Sequence, residues 1–343
     1  MVEKPDLPVM IDCVSIHVER CALQRLCQGG SVDLPRWVTP WCRDHLGAEP
    51  VELLHRSTHM ADVLGLRLSD GRLIAVKARP DQNGREATCV EVQRFLAEQG
   101  FPCAAPLTGV TVHEGTAIHA EQWRPGGELL RGDDPATAAL FAVLLARLVD
   151  LAADIEVGGA APGSVAPPLP NPEWVRWDHP GPGPWPAISY HDERAKGRAL
   201  PEGIEEAAVR VRERLAQSRL PRVLGHADWE TQNLRWNGDR PWAVHDWDSI
   251  AWIPEAAIVG AACGAFASAE TPTLAPIASS LAFLDAYQAA RRPFSAEELE
   301  VAWAASLWLA LHNARGEALW DQSPVAIAAV ADQAAERLRL AGA

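Results

Sequence analysis

Apolar and polar positions alternate along the first third of the chain, over Val51 to Leu54, Asp62 to Leu68 and Leu73 to Lys77, with Gly71 as a turn. This predicts a three-strand meander. Before it, Leu34 to His45 reads as a short helix closed by Gly47. After it, Glu86 to Gln99 has helical character and stops at Gly100. Gly109 to His113 and Ala117 to Gln122 then flank Glu114-Gly115 as a hairpin. Beyond Gly126-Gly127 the period changes, and Ala-rich helices are predicted at 136 to 155, 203 to 217, 255 to 269, 275 to 291 and 296 to 315. The fold class expected is therefore α+β, with a small five-stranded N-terminal lobe and a larger, mainly helical C-terminal lobe. Residues 1–32 read as an N-terminal extension, 33–127 as the first lobe and 128–343 as the second. Gly158 to Leu200, dense in Pro, Gly and Trp, is too long for a plain connector and reads as an insertion or lid.

Composition narrows the classes. The 343 residues are 48% hydrophobic, enough for a sizeable core, and carry a net charge of −14. That balance argues against nucleic acid as a partner, since phosphates demand a basic footprint. The first 127 residues hold −3 of it and the remainder −11, a lean toward a cationic substrate at the second lobe. No apolar run follows a basic stretch near Met1, and Ala136 to Ile155 carries Arg147 and Asp150, so no membrane partner is expected and the location expected is cytoplasmic. Seven cysteines without a CxxC pair fit reduced thiols in that compartment. Cys13, His17 and Cys21 would align on a helix as soft ligands, with Cys27 close behind, but no fourth zinc ligand is compelling.

The chemistry gathers in His226-Ala-Asp228-Trp-Glu-Thr-Gln-Asn233 and Val244-His-Asp246-Trp-Asp248. An Asp that accepts a hydroxyl proton, an Asn five residues on that holds Mg²⁺, and a second Asp after the next strand make one phosphoryl-transfer site. On this reading Asp228 is the general base, Asn233 and Asp246 are the metal ligands, and His226 packs behind and orients the catalytic loop. Lys77, closing an apolar strand upstream, projects its ammonium toward nucleotide phosphates. Either Glu86 or Glu91 on the following helix is its candidate partner, and the first-turn position favours Glu86. The loop His55 to Ala61 holds no glycine, so phosphate contact there falls to Ser57, Thr58 and backbone amides. Ala120 to Trp123, with Glu121 inside it, is read as the interlobe crossing whose backbone meets the purine edge. The cofactors implied are ATP (or GTP) and Mg²⁺.

These motifs resemble those of the aminoglycoside phosphotransferase and choline kinase-like family, whose fold is similar to that of protein kinases. The family commonly reads HGDxxxxN and then IDW(D/E), and the likeness runs from about Leu34 to Leu319. The resemblance implies a bilobal protein-kinase-like fold and gives the same roles to Asp228, Asn233, Asp246 and Lys77, with Asp248 assisting the metal or capping its loop. The closing helices at Phe283 to Tyr287 and Phe294 to Leu299 also look like the family's. Ala227 replaces the usual Gly, Val149 stands where a His often follows, and Glu255 follows Pro254 where Asp is customary. None of these departures removes a catalytic group.

An Asp246-Trp-Asp248 nucleophile loop of a dehalogenase-like phosphatase would open its domain and need a strand-borne Lys downstream, which this order lacks. A pseudokinase would be expected to lose one of Lys77, Asp228, Asn233 or Asp246, and all four are present. The expected partner is a small hydroxylated substrate, with an antibiotic ahead of an amino alcohol, sugar or nucleoside. Trp174, Trp177, Trp185, Tyr190, His191, Asp192 and Glu193 are offered by the insertion as stacking faces and polar handles. The assembly expected is a monomer or homodimer.

Overall fold

The computed structural model describes residues 34–58, 61–160, 163–187, 189–265 and 274–343. The cysteine–histidine cluster near the N-terminus, the extension 1–32, His59 and Met60, and the stretch 266–269 of the third predicted C-terminal helix lie outside the described residues, as do the side chains of Tyr190 and Glu193. The chain divides into two compact units, one ending at Pro125 and the other running from Gly126 to Ala343.

The first unit begins with helix α1 (Val38–Leu46), closed by Gly47 at φ 71°. Strands β1 (Pro50–Thr58), β2 (Asp62–Leu68), β3 (Leu73–Pro80), β4 (Thr111–His113) and β5 (Thr116–Gln122), with helix α2 (Arg85–Glu98) after β3, form one antiparallel sheet in the order β1-β2-β3-β5-β4. The pleat sorts its side chains. Leu64, Leu66 and Leu68, with Ile74, Val76 and Ala78 opposite and Ile118 and Ala120 beyond, join Val38, Trp41 and Cys42 of α1 in one core. The alternate positions, Lys77, His119 and Glu121 among them, therefore point to the other face, where Gln93 of α2 reaches Glu121. The β4–β5 turn needs positive φ at Glu114 and Gly115, which supplied the hairpin signal.

The second unit is mainly helical: α3 (Pro135–Ala152), α4 (Ser189–Ala195), α5 (Ile204–Gln217), α6 (Glu255–Ala265), α7 (Ile277–Ala290), α8 (Ala296–Trp320) and α9 (Val325–Leu340). Two strand pairs are set among them, β6 (Arg222–His226) with β9 (Ile250–Pro254), and β7 (Leu234–Asn237) with β8 (Arg240–Val244). Asp134 caps α3 by accepting from Thr137 N at 2.9 Å, and Ser295 and Glu298 close a capping box on α8. Although α3 is long and apolar enough to cross a membrane, Phe141, Ala142, Leu145 and Leu148 are buried in this unit's core. Helices α6 and α8 approach closely: a Cβ on Gly260 or Gly264 would stand 2.1 Å from the carbonyl oxygens of Ala302 and Ser306. The last helix, α9, lies beyond the elements expected from sequence. It buries Arg337 fully, the guanidinium donating to Ser306 Oγ, Ser280 Oγ and the Ala275 carbonyl at 2.6–2.9 Å.

The Pro-rich stretch from Gly158 to Leu200 is tied to this unit by aromatic and backbone contacts. Trp177 and Trp185 pack on Trp308 of α8, and Arg212 of α5 donates to the carbonyls of Trp177, His179 and Gly183. Asn171 accepts from Trp252 N at 2.9 Å.

Glu255, the departure noted after Pro254, is the hub of a buried polar network. Its carboxylate accepts from Tyr287 Oη at 2.9 Å, Arg291 Nε at 2.8 Å and Arg292 Nη2 at 3.1 Å, and Arg292 also holds Glu298 at 2.6 Å. Removing Glu255 takes the buried acceptor from Tyr287 and from Arg291 Nε, at about 3–5 kcal/mol, while Arg292 keeps Glu298. Glu255→Ala is accordingly expected to lower the melting temperature by roughly 10 °C. Asp70→Ala, which breaks an exposed pair with Arg72, should leave the melting temperature close to that of wild type. Equal melting points for Glu255→Ala and wild type in calorimetry would show that the network adds nothing.

Candidate functional site: a catalytic loop and a buried lysine

Strand β6 ends at His226, whose ring is fully buried. Its Nε2 donates to the His245 carbonyl at 3.0 Å and its Nδ1 accepts the Asp228 amide at 3.2 Å, which defines one neutral tautomer. Burial lowers the imidazole pKa, against the opposing pull of Asp246, and so keeps it in that form. Trp229 and Trp247 stand edge-on to the ring at 5.6 and 5.8 Å, and Trp229 Nε1 is anchored on the Phe141 carbonyl. His226 thus ties the turn after β6 to the turn after β8.

Asp228 and Asn233 are joined directly. Asn233 Nδ2 donates to Asp228 Oδ2 at 2.7 Å and to its carbonyl at 3.0 Å, with a 3-10 turn over Thr231–Asn233 between them. The amide protons of Asn233 are thereby committed to Asp228, and its Oδ1 is the group that remains for a cation. Strands β7 and β8 pair Leu234 with Val244, and one step outward His245 N donates to the Asn233 carbonyl at 2.9 Å. That step brings Asp246 to the same end of the hairpin as Asn233. Asp246 holds φ 63°, ψ 52°, a left-handed conformation that a non-glycine residue adopts at a cost. Ser249 Oγ fixes its Oδ2 at 2.9 Å. Among the described residues no three His, Cys, Asp or Glu side chains gather as a metal cage. One carboxylate and one amide oxygen fit Mg²⁺, which binds through few protein oxygens and takes the rest of its octahedron from water and phosphate.

Between Asp228 and Asn233 stands Glu230, which the sequence reading passed over. Burial, with the charges of Asp228 and Asp246 adding to it, pushes its carboxyl well above the usual range, and Gln232 Nε2 donates to it. Glu230 lines a cavity of the second unit together with Leu274, Leu309, Ala310, Asn313 and Ala326. No described residue of the stretch from Gly158 to Leu200 is among those that line this cavity.

In the first unit Lys77 Nζ meets Glu121 Oε1 at 2.9 Å, both side chains largely buried. Glu121 also accepts from Gln93 Nε2 at 2.8 Å. Burial alone would raise the Glu121 carboxyl, but Lys77, His119 and the Gln93 amide outweigh it and hold it below the usual carboxylate range. The acid that grips Lys77 thus comes from β5. Glu86, the partner favoured from sequence, lies buried in the first turn of α2. The register explains this pairing. Lys77 faces His119 across β3 and β5, and Glu121 is the next residue on the same face. Glu121 lies within β5, its side chain engaged by Lys77. Trp123 N donates to the Leu73 carbonyl at 3.2 Å, and its ring lies against Gly65, where a Cβ would come within 3.0 Å of it. Ser57 and Thr58 end β1, opposite Val63 and Asp62, and Thr58 Oγ1 donates to Asp62 Oδ1 at 2.7 Å. Glu91 is placed 3.5 Å from Arg94 on α2.

A family model described as "Phosphotransferase enzyme family" matches residues 62–294, more than half of the chain. Comparison with curated proteins found no match. Solved structures share the fold at low identity. A protein described as a fructosamine-3-kinase from Thermobifida fusca is 19% identical, with 88% of this chain and 98% of that one covered at a TM-score of 0.55. Amicoumacin kinase hAmiN, in complex with AMP-PNP, Ca²⁺ and Ami, is 12% identical, with 85% and 89% covered at 0.59. A thermostable mutant of an aminoglycoside phosphotransferase, in ternary complex with AMP-PNP and hygromycin B, is 12% identical, with 89% and 99% covered at 0.53. With its α+β, protein-kinase-like fold and a family match across both units, the chain belongs to the phosphotransferase enzyme family and is a small-molecule kinase.

Proposed function

We propose that the protein transfers the γ-phosphoryl group of ATP, or of GTP, to a hydroxyl of a small natural product, with an antibiotic as the leading acceptor class. The observation that carries this reading is the Asp228–Asn233 hydrogen bond beside the left-handed Asp246, a base and two cation ligands held in one loop pair. Bound Mg²⁺ would neutralise the phosphate charge, and Asn233 Oδ1 and the Asp246 carboxylate are the groups that would hold it. Asp228 orients the acceptor hydroxyl and takes its proton as the oxygen bonds to phosphorus. Its carboxylate is set for that by Asn233 Nδ2 on one oxygen and by the His226 ring beneath its amide. Lys77, steadied by Glu121, contacts the phosphates, with Ser57, Thr58 and nearby amides covering them and the Trp123 segment at the nucleobase. Glu86 supports that arrangement from α2. Residues 33–127 then serve as the nucleotide-binding lobe and 128–343 as the catalytic and acceptor-binding lobe.

The three related structures are named for fructosamine, for amicoumacin and, through its ligand, for hygromycin B, which sets the first panel of acceptors. Incubation with Mg-ATP and that panel, extended to amino alcohols, sugars and nucleosides, should yield one acceptor that gains a single phosphoryl group by mass spectrometry. Binding of Mg-nucleotide with no phosphorylated product across the panel would favour a non-catalytic binding role.

A further inference from the structure

A carboxylate that holds a cation must keep one orientation, and Asp246 does so from a half-buried position on a left-handed backbone that side chains other than glycine's rarely adopt. The turn after it supplies the restraint. Trp247 Nε1 donates to the Val244 carbonyl at 3.0 Å, and Ser249 N donates to the Asp246 carbonyl at 3.0 Å, which closes the 3-10 turn over Trp247–Ser249. Ser249 is fully buried and engages all three of its polar groups. Besides that amide, its carbonyl accepts from Ala227 N at 2.8 Å, and its Oγ donates to Asp246 Oδ2 at 2.9 Å. One residue thus links the turn that carries Asp246 to the residue before Asp228. The two backbone bonds do not depend on the side chain, whereas the bond to Oδ2 does. A carboxylate chelates a single ion through both oxygens only when both turn toward it, and this bond turns Oδ2 back toward Ser249. Ligation through one oxygen suits Mg²⁺, which demands a near-ideal octahedron and few protein oxygens. Ca²⁺ takes more oxygens, bidentate carboxylates among them, in a flexible shell.

We infer that Ser249 is a positioning residue for the cation site, its hydroxyl fixing the Asp246 carboxylate so that the site prefers Mg²⁺ to Ca²⁺. The inference rests on the kinase reading above and adds to it the choice of cation. Ser249 touches neither nucleotide nor acceptor in this assignment and acts through Asp246.

Calorimetric titration of AMP-PNP into the full chain, with Mg²⁺, with Ca²⁺ and with neither, compares wild type with Ser249→Ala and Ser249→Cys. The cysteine keeps the side-chain volume but is only a weak donor, so it separates the hydrogen bond from the packing. Both variants are expected to lose about tenfold in affinity with Mg²⁺, the scale of a hydrogen bond to a charged group. With Ca²⁺, whose shell tolerates a reoriented carboxylate, the loss should stay below about threefold, so the ratio of the two affinities falls. Thermal melts of the same preparations show that each variant is folded at the temperature of titration. Equal losses with the two cations, unchanged Mg²⁺ affinity in Ser249→Ala, or a wild-type ratio in Ser249→Cys overturns the assignment. Wild type that binds AMP-PNP alike with and without either cation sinks the metal site of the kinase reading and the role of Ser249 with it. A wild type that depends on Mg²⁺, beside variants that keep its ratio, sinks the role of Ser249 alone.

Discussion

Asp228→Asn is expected to lower kcat by about 10²–10⁴-fold, the range over which a positioned general base contributes. The substitution is nearly isosteric, and the new amide oxygen can still accept from Asn233 Nδ2, so the loop from Asp228 to Asn233 keeps its shape. What is lost is the basicity that takes the acceptor proton. Affinity for Mg-nucleotide should stay close to wild type, because the proposed metal ligands are Asn233 and Asp246. Single-turnover rates and nucleotide titrations on the same preparation check both halves. Near wild-type turnover in the variant would remove Asp228 from its role as base.

Acidification from pH 7 to pH 5 should cost roughly 2 kcal/mol of stability for each histidine that the fold keeps neutral. Burial pushes His119 down to about 3 and His312 to about 3, and His191, beside Arg315, to about 4. An unfolded histidine takes up its proton near pH 6.5, whereas these three do so only near 3 to 4. The folded pKa values are depressed, so the stabilisation is complete above about 6.5 and is lost as pH falls from there toward the folded values. His119 belongs to the first unit, while His191 and His312, with rings 5.6 Å apart, belong to the second. His226, also kept neutral by burial, adds to these two, so the second unit should lose more than twice as much as the first. Urea unfolding at several pH values, with probes in each unit, reads this out, and His312→Phe should flatten the dependence in the second unit by one proton. Stability that stays level or rises over that interval would show that these histidines titrate normally.

The architecture was readable where one periodicity persists. Strands β2 and β3 declare themselves because Leu64, Leu66 and Leu68 alternate with polar or small residues, and Gly47, Gly71 and Gly115 punctuate at positive φ. Helix α9 escaped because Gly316 and Pro324 resemble terminators, yet Gly316 lies within α8, where tertiary packing outweighs propensity. Strand β6 is a short apolar run whose pairing with β9 spans many residues, and periodicity alone does not classify such a run. Within the candidate site, the five-residue interval from Asp228 to Asn233 is local, so sequence could place them in one loop. The Lys77–Glu121 pair depends on which strands are neighbours and in what register, and a helix-borne partner was favoured in its place. A carboxylate following Ala117, Ile118 and Ala120 was the available hint, since a buried acid needs a cation. Glu230 carries no periodic or spacing signal of its own, and only the packing of α8 and α9 around it reveals the cavity.

The central proposal is that Lys77 and Glu121, and separately Asp246, each contribute to the binding of a magnesium nucleotide. Calorimetric titration of AMP-PNP, with and without Mg²⁺, into wild type, Asp246→Ala and the paired variant Lys77→Met with Glu121→Gln tests it most directly. Pairing the last two substitutions removes both charges of a buried ion pair together and so avoids a stranded carboxylate. The account predicts that each variant loses at least about tenfold in affinity, and that Asp246→Ala also loses the enhancement by Mg²⁺. Wild-type affinity in either variant, or an undiminished Mg²⁺ effect in Asp246→Ala, would contradict it.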